Sequence, residues 1–88
     1  MYVHIGGEYT IPVKMIVSLI DLDSVSPNQK DMKLFLNEQD KMNCLEYVSE
    51  ELSRSLIITT HHVYVSPISV TTLQKRILEG VDLLKKQA

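Results

Sequence analysis

Cysteine is almost absent from this 88-residue sequence: Cys44 is the one thiol, so the chain cannot form an internal disulfide. The paired cysteine spacing of structural zinc sites is excluded for the same reason. No apolar run exceeds three residues, whereas a helix that spans a bilayer needs about 20 apolar residues. The first residues also lack the apolar segment of a secretory signal. We therefore expect a cytoplasmic protein.

A large net charge of either sign is also missing, because 9 basic residues face 11 acidic ones and the formal net charge is −2. This balance opposes the strongly basic character of typical nucleic-acid-binding domains, whose pI usually exceeds about 9. A local group of Lys and Arg can still contact phosphates, and an oligomer repeats such a group many times. A chain of this length buries little surface, so self-association is an expected source of extra stability.

Turn formers and apolar patterns predict one domain over residues 1–88 with the order β-β-β-α-β-β-β-α. The predicted strands cover 2–5, 8–11, 15–22, 44–48, 55–60 and 63–65. Gly6 and Gly7 predict a tight turn and a first hairpin, and the apolar segment 15–22 is interpreted as a buried central strand. This order predicts an α+β fold, a small, mostly antiparallel twisted sheet of about five to six short strands with two helices on one face or end.

Capping residues and apolar spacing predict the two helices. The first begins with Ser26 as the cap and Pro27 at the first helical position, and ends near 41–43. Its apolar stripe comprises Met32, Phe35 and Leu36, which Met42 extends.

The second helix begins after the capping residue Ser69 and carries a stripe at Val70, Leu73, Ile77, Val81 and Leu84. Gly80 destabilises its middle by about 1 kcal/mol relative to Ala, so the last dozen residues are expected to fray or to need a packing partner.

Two groups of polar residues are candidates for metal binding. Adjacent residues of a strand point to opposite faces, so His61 and His62 are interpreted as polar residues beside a turn. Asp21 and Asp23 share one face of an extended segment and could bind a hard cation, but solvated carboxylates at a strand end are the preferred interpretation. The sequence has neither a nucleophile motif nor a glycine-rich phosphate loop, so we expect no enzymatic activity and no cofactor.

Four basic residues are candidates for contact with phosphates: Lys14, Arg54, Lys75 and Arg76. Lys75 and Arg76 lie off the apolar stripe of the second helix, where charged side chains are often merely solvated.

Two segments resemble the RemA/RemB family of extracellular matrix regulators. They are Tyr-Val-Ser-Pro-Ile-Ser-Val-Thr-Thr-Leu-Gln-Lys-Arg at 64–76 and Met-Tyr-Val-His-Ile-Gly at 1–6. Segment 14–21 is similar to a third part of that family, so the resemblance covers residues 1–76. It implies a bacterial regulator of matrix genes that assembles into rings and contacts DNA with surface arginines. Of the family's arginine-rich turn only Arg54 is present, after Glu50 and Glu51, and Lys14 lies at or beside another family arginine.

Two hypotheses follow. The first is a ring-forming transcriptional regulator of extracellular-matrix (biofilm) genes that contacts DNA through Lys14 and Arg54, helped by Lys75 and Arg76. The second is an oligomeric protein-interaction or scaffold module that presents an acidic surface and does not bind DNA. In both, the chain's first partner is another copy of itself, and neither involves a membrane.

Overall fold

The computed structural model describes residues 1–25 and 28–87, and the side chains of all of these except 81–87. The strands are β1 (Tyr2–Gly6), β2 (Tyr9–Pro12), β3 (Ile16–Asp21), β4 (Leu45–Tyr47), β5 (Ser55–Thr59) and β6 (Val63–Ser66). The helices are α1 (Lys30–Lys41) and α2 (Val70–Gln87), with a short 3-10 helix at Val13–Met15. The predicted α+β class and the order β-β-β-α-β-β-β-α are confirmed.

The strands form two sheets, where the sequence suggested one. Strands β1 and β2 make a two-stranded antiparallel sheet, and the other four make a sheet in the order β3-β5-β6-β4. Both predicted hairpins are present as antiparallel pairs, while β4 runs parallel to β6. The N-terminal hairpin is therefore a separate layer.

Two apolar clusters lie on opposite faces of the four-stranded sheet. Adjacent residues of β5 show this division, because neighbouring side chains of a strand point to opposite faces: Leu56 belongs to one cluster and Ile57 to the other. The first cluster joins the sheet to the N-terminal hairpin and to α2 through Leu73, and the second joins it to α1 through Phe35. The two helices thus cover opposite faces and not one face as the sequence suggested.

Strand β3 is an edge strand, so its interpretation as a buried central strand is wrong. Its pairing with β5 shifts register between Ile16 and Ser18, which is the signature of a bulge at Val17. Val17 is 66% exposed as a result. The bulge lets Ile16 and Leu19 face the first cluster while Ile20 faces the second, so both faces of this strand are apolar.

Helix α1 begins later than the sequence predicted. Gln29 is its N-cap and makes no capping hydrogen bond with its side chain, and Lys30 is its first residue. The predicted cap Ser26 and the following Pro27 lie outside the described residues. The end at Lys41 agrees with the prediction, but Met42 is the C-cap and is 66% exposed, so it does not extend the apolar stripe.

Helix α2 begins as predicted, because the Ser69 hydroxyl accepts a hydrogen bond from the Thr72 backbone N–H at 3.2 Å. Leu73 is fully buried and Ile77 packs beside it, while the stripe residues Val81 and Leu84 have no described side chains. A Cβ atom at Gly80 would meet the end of the Met1 side chain, which would have to move to make room for it.

Two buried serines connect the layers. The Ser66 hydroxyl donates a hydrogen bond to the Ile5 carbonyl of β1 at 2.5 Å and accepts one from the Ile68 N–H at 3.0 Å. The hydroxyl of Ser55, on the neighbouring strand, donates to the Ile68 carbonyl at 2.7 Å. These bonds fix the N-terminal hairpin and the start of α2 against the end of β6.

We expect Ser66→Ala to destabilise the fold by about 1–3 kcal/mol, because it leaves the buried Ile5 carbonyl and the Ile68 N–H without this partner. Urea unfolding followed by circular dichroism measures the change, and the exposed Ser18→Ala serves as the control, with an expected effect within about 0.5 kcal/mol. Equal stabilities of the two variants would show that Ser66 does not hold the layers together.

Candidate nucleic-acid interface

The basic residue Lys14 lies in the short 3-10 helix between β2 and β3, and its side chain is exposed. The N–H of the preceding Val13 donates to the Met1 carbonyl at 2.9 Å, which holds this segment beside the N-terminus. This hydrogen bond fixes the backbone that carries the exposed Lys14 side chain.

Arg54 lies just before β5, and its guanidinium is held by an acidic partner that the sequence did not suggest. Its Nε and Nη2 atoms both donate to Oδ2 of Asp23, at 3.2 and 3.0 Å. Both side chains are about half exposed, at 48% and 46%. An exposed pair of this kind contributes only about 0–1 kcal/mol, so a phosphate can compete with Asp23 for Arg54.

Asp21 and Asp23 both have hydrogen-bond partners among the described residues. Residues 22–24 form a turn and not the extended segment expected from the sequence. Asp21 accepts hydrogen bonds from the Asp23 N–H at 2.9 Å and from the Ser24 hydroxyl at 3.0 Å. Asp21 thus shapes the turn, and Asp23 neutralises Arg54.

Arg76 projects from α2 onto the N-terminal hairpin. Its Nη1 donates to the His4 carbonyl at 2.9 Å and lies 3.4 Å from the His4 Nδ1. The other ring nitrogen of His4, Nε2, is 2.8 Å from the Gly7 carbonyl. The remaining Arg76 nitrogens make no hydrogen bond to the described residues, and the adjacent Lys75 is exposed.

The four candidate side chains belong to three segments of the chain. Lys75 and Arg76 are neighbours on α2, whereas Lys14 lies between β2 and β3 and Arg54 lies just before β5. The sequence missed the roles of Asp23 and His4, because their partners lie 31 and 72 residues away in the chain. No local spacing indicates pairs so far apart.

The histidine pair lies in the turn between β5 and β6 and is not part of a cluster of metal ligands among the described residues. Among the described residues, no three His, Cys, Asp or Glu side chains are grouped closely enough to hold a metal ion. The N–H groups of His61 and His62 donate to the Thr59 hydroxyl, so both residues belong to the turn between β5 and β6. In the part of the chain that is described, neither helix has the length and apolar character of a membrane span.

Comparison with known proteins places the chain in a family. The model of the RemA-like family, described as extracellular matrix regulatory protein A-like, matches residues 2–77. The chain belongs to the RemA-like family. It is also 31% identical over 77 residues to the extracellular matrix regulatory protein B of Bacillus subtilis (strain 168), covering 86% of this chain and 89% of that protein.

The segment 64–76, which carries the resemblance to RemA-like proteins, has mainly structural contacts in this chain. Ser66 joins β6 to β1, Ser69 caps α2, and Leu73 fills the first cluster. Arg76 donates a hydrogen bond to the His4 carbonyl of the N-terminal hairpin. The segment therefore identifies the fold of this RemA-like chain more directly than it identifies a DNA contact.

A polar cluster next to β4 lies apart from the basic residues. The Tyr9 hydroxyl donates to Oε1 of Glu46 at 2.8 Å, and the Tyr9 ring meets the Tyr64 ring edge-on with centroids 5.9 Å apart. The hydrogen bond to Glu46 raises the pKa of Tyr9, with smaller contributions from burial and the Glu46 charge. Burial, and then the Glu46 charge, raises the pKa of Tyr64.

These raised pKa values predict a loss of stability in alkali. A phenol whose pKa is higher in the folded state stabilises the fold fully below its unfolded pKa of about 10, and this contribution disappears as the pH rises through the folded value. We expect Glu46→Gln to shift the alkaline phenolate absorbance titration to lower pH, with Glu38→Gln as the control. Superimposable titrations of wild type and Glu46→Gln would contradict the assignment.

Proposed function

We propose that this RemA-like protein is a non-enzymatic regulator of extracellular-matrix genes that self-assembles and contacts DNA phosphates with Lys14, Arg54, Lys75 and Arg76. Family membership carries the proposal, since the Bacillus subtilis relative is named as a matrix regulatory protein. The exposure of all four side chains supports it, because phosphate contacts need accessible cations.

Self-assembly is required by the scarcity of these cations. One copy offers at most four of them, against a net charge of −2. Each phosphate contact adds a modest, salt-dependent contribution to affinity. A ring of copies would repeat the contacts along one duplex, and so convert weak contacts into useful affinity.

Of the four candidate contacts, Arg54 is the one whose availability to a DNA phosphate depends on a nearby residue, Asp23. Its two hydrogen bonds converge on one oxygen of Asp23, and Nη1 makes no hydrogen bond to the described residues. A phosphate could therefore join or replace the carboxylate without disturbing a buried group.

The second candidate function is a scaffold that binds proteins and not DNA. The segment before Arg54 favours it, because Glu50 and Glu51 are exposed and the adjacent Leu52 is 82% exposed. Acidic side chains repel DNA, while an exposed leucine beside them suits a protein interface.

Asp23→Asn should strengthen DNA binding about two- to fivefold, because it releases Arg54 from its competing carboxylate. Fluorescence anisotropy with a labelled matrix-gene promoter duplex at low salt measures the effect. Asp40→Asn changes the net charge equally from an exposed position on α1 and is the control. Identical gains from the two variants would show that Arg54 is not the group released.

Lys14→Ala/Arg54→Ala separates the two candidate functions. If DNA binding is correct, the double variant keeps its assembly state but loses affinity, and the slope of log K against log salt becomes shallower by about one for each contact removed. If the scaffold hypothesis is correct, the double variant assembles as the wild type does, and neither protein binds DNA measurably. Absence of any mobility shift by the wild type at low salt would reject DNA binding outright.

A further inference from the structure

Helix α2 runs alongside the first strand of the N-terminal hairpin. Arg76 donates to the His4 carbonyl at 2.9 Å, and its Nη1 lies 3.4 Å from the Nδ1 atom of the His4 ring. One turn further along the helix, Gly80 lies against the Met1 side chain. Because Tyr2 lies between Met1 and His4 on β1, it is placed beside the stretch of α2 that runs from Arg76 to Gly80.

Tyr2 and His4 share one face of β1, which we call the outer face of the hairpin. Both side chains are exposed, whereas Val3 between them is buried in the first apolar cluster. Residues two apart on a strand are separated by about 6.6 Å, so Tyr2 and the Arg76 guanidinium at His4 border one stretch of surface. Tyr2 is 69% exposed, and its hydroxyl makes no hydrogen bond to the described residues.

A hollow beside Tyr2 brings Lys14 to the same surface. Its volume is about 360 Å³, and the described residues that line it are Met1, Tyr2, Pro12, Val13 and Lys14. Tyr2 pairs with Pro12 across the hairpin, and the hydrogen bond from the Val13 N–H to the Met1 carbonyl holds the Lys14 segment beside that pair. Lys14 is the one charged side chain of the described lining, and the rest is apolar or aromatic. We call this hollow the Tyr2 hollow.

The chemistry of this surface suits a nucleic-acid backbone, in which anionic phosphates alternate with sugars that expose carbon atoms. Lys14 and Arg76 supply positive charge, and a tyrosine hydroxyl is a common donor to phosphate oxygens. The apolar lining of the Tyr2 hollow can pack against the sugar. Two acidic residues of these elements oppose the attraction: Glu8 lies in the turn at the other end of the hairpin and Glu79 is exposed on α2, but neither is among the described lining residues.

We propose that the outer face of the hairpin binds the sugar–phosphate backbone of DNA, with the Tyr2 hydroxyl and Lys14 on one phosphate and Arg76 on a neighbouring one. This inference rests on the proposed DNA binding and adds Tyr2 to its contacts. The surface contacts no base edge, so it positions the protein on a duplex without reading its sequence. Because Tyr2 is neutral, it contributes to affinity without adding to the salt dependence of binding.

Tyr2→Phe tests the hydroxyl. We expect it to weaken duplex binding about three- to tenfold with an unchanged slope of log K against log salt, because the lost contact is an uncharged hydrogen bond. Lys14→Ala should weaken binding and also make the slope shallower by about one for each contact removed. Fluorescence anisotropy over a salt series measures both quantities, and an unrelated duplex of equal length should show the same loss. Tyr47→Phe, at a tyrosine that is 60% exposed on β4, is the matched control and should bind as the wild type does.

Tryptophan fluorescence locates the DNA without relying on affinity. The sequence contains no tryptophan, so Tyr2→Trp places a single indole at the Tyr2 hollow. Saturation with duplex should change the intensity and wavelength of its emission, because the DNA backbone displaces water from the ring. Tyr47→Trp is the control, and its emission should not respond to DNA. Circular dichroism should show wild-type secondary structure in all variants.

The outcomes distinguish this inference from the proposed function. If the wild type binds DNA but Tyr2→Phe binds equally tightly, or if DNA leaves the emission of Tyr2→Trp unchanged, the inference is wrong while the proposed DNA binding stands. If Tyr2→Ala alters the assembly state of the protein alone in sedimentation velocity, another copy covers the outer face and the inference is overturned. If the wild type does not bind DNA at low salt, the inference and the proposed DNA binding fail together.

Discussion

The hydrogen bonds of Ser66 hold the architecture together. Its hydroxyl connects the carbonyl of Ile5 in β1 with the N–H of Ile68 before α2, and its own carbonyl accepts from the Arg54 N–H at 2.9 Å. One buried residue thus fixes the N-terminal hairpin, the start of α2 and the backbone of Arg54. Two of the four candidate DNA contacts depend on this connection. Arg54 depends on it through its backbone, and Arg76 because its side chain reaches the hairpin from α2. A small domain with a limited core depends strongly on such buried, satisfied polar bonds.

Local features of the sequence predicted the elements well, because hairpins, caps and helical stripes depend on neighbouring residues. Gly6 and Gly7 form the predicted turn with positive φ angles, and Ser69 caps α2. The arrangement of these elements was less predictable. The bulge at Val17 made an edge strand resemble a central one, since it breaks the alternation that identifies a half-buried strand. The contact between Ser66 and Ile5 spans 61 residues and leaves no periodic signal.

The candidate interface shows the same limit. The sequence identified exposed cations, and the structure displays them as expected at Lys14 and Lys75. It could not indicate that Asp23 would form an ion pair with Arg54, or that the His4 carbonyl would accept a hydrogen bond from Arg76. These contacts reduce the number of fully free cationic groups on each copy. Under the proposed function, a regulator built from such copies would gain its affinity for DNA from repetition of these contacts.

The central claim is that DNA binding belongs to the assembled protein and not to a single copy. Sedimentation of a labelled duplex, over protein concentrations that span the assembly transition of the protein alone, tests it most directly. We expect the duplex to remain free below that transition and to sediment with several copies above it. A duplex that binds one copy at a time, with the same affinity on both sides of the transition, would contradict the claim.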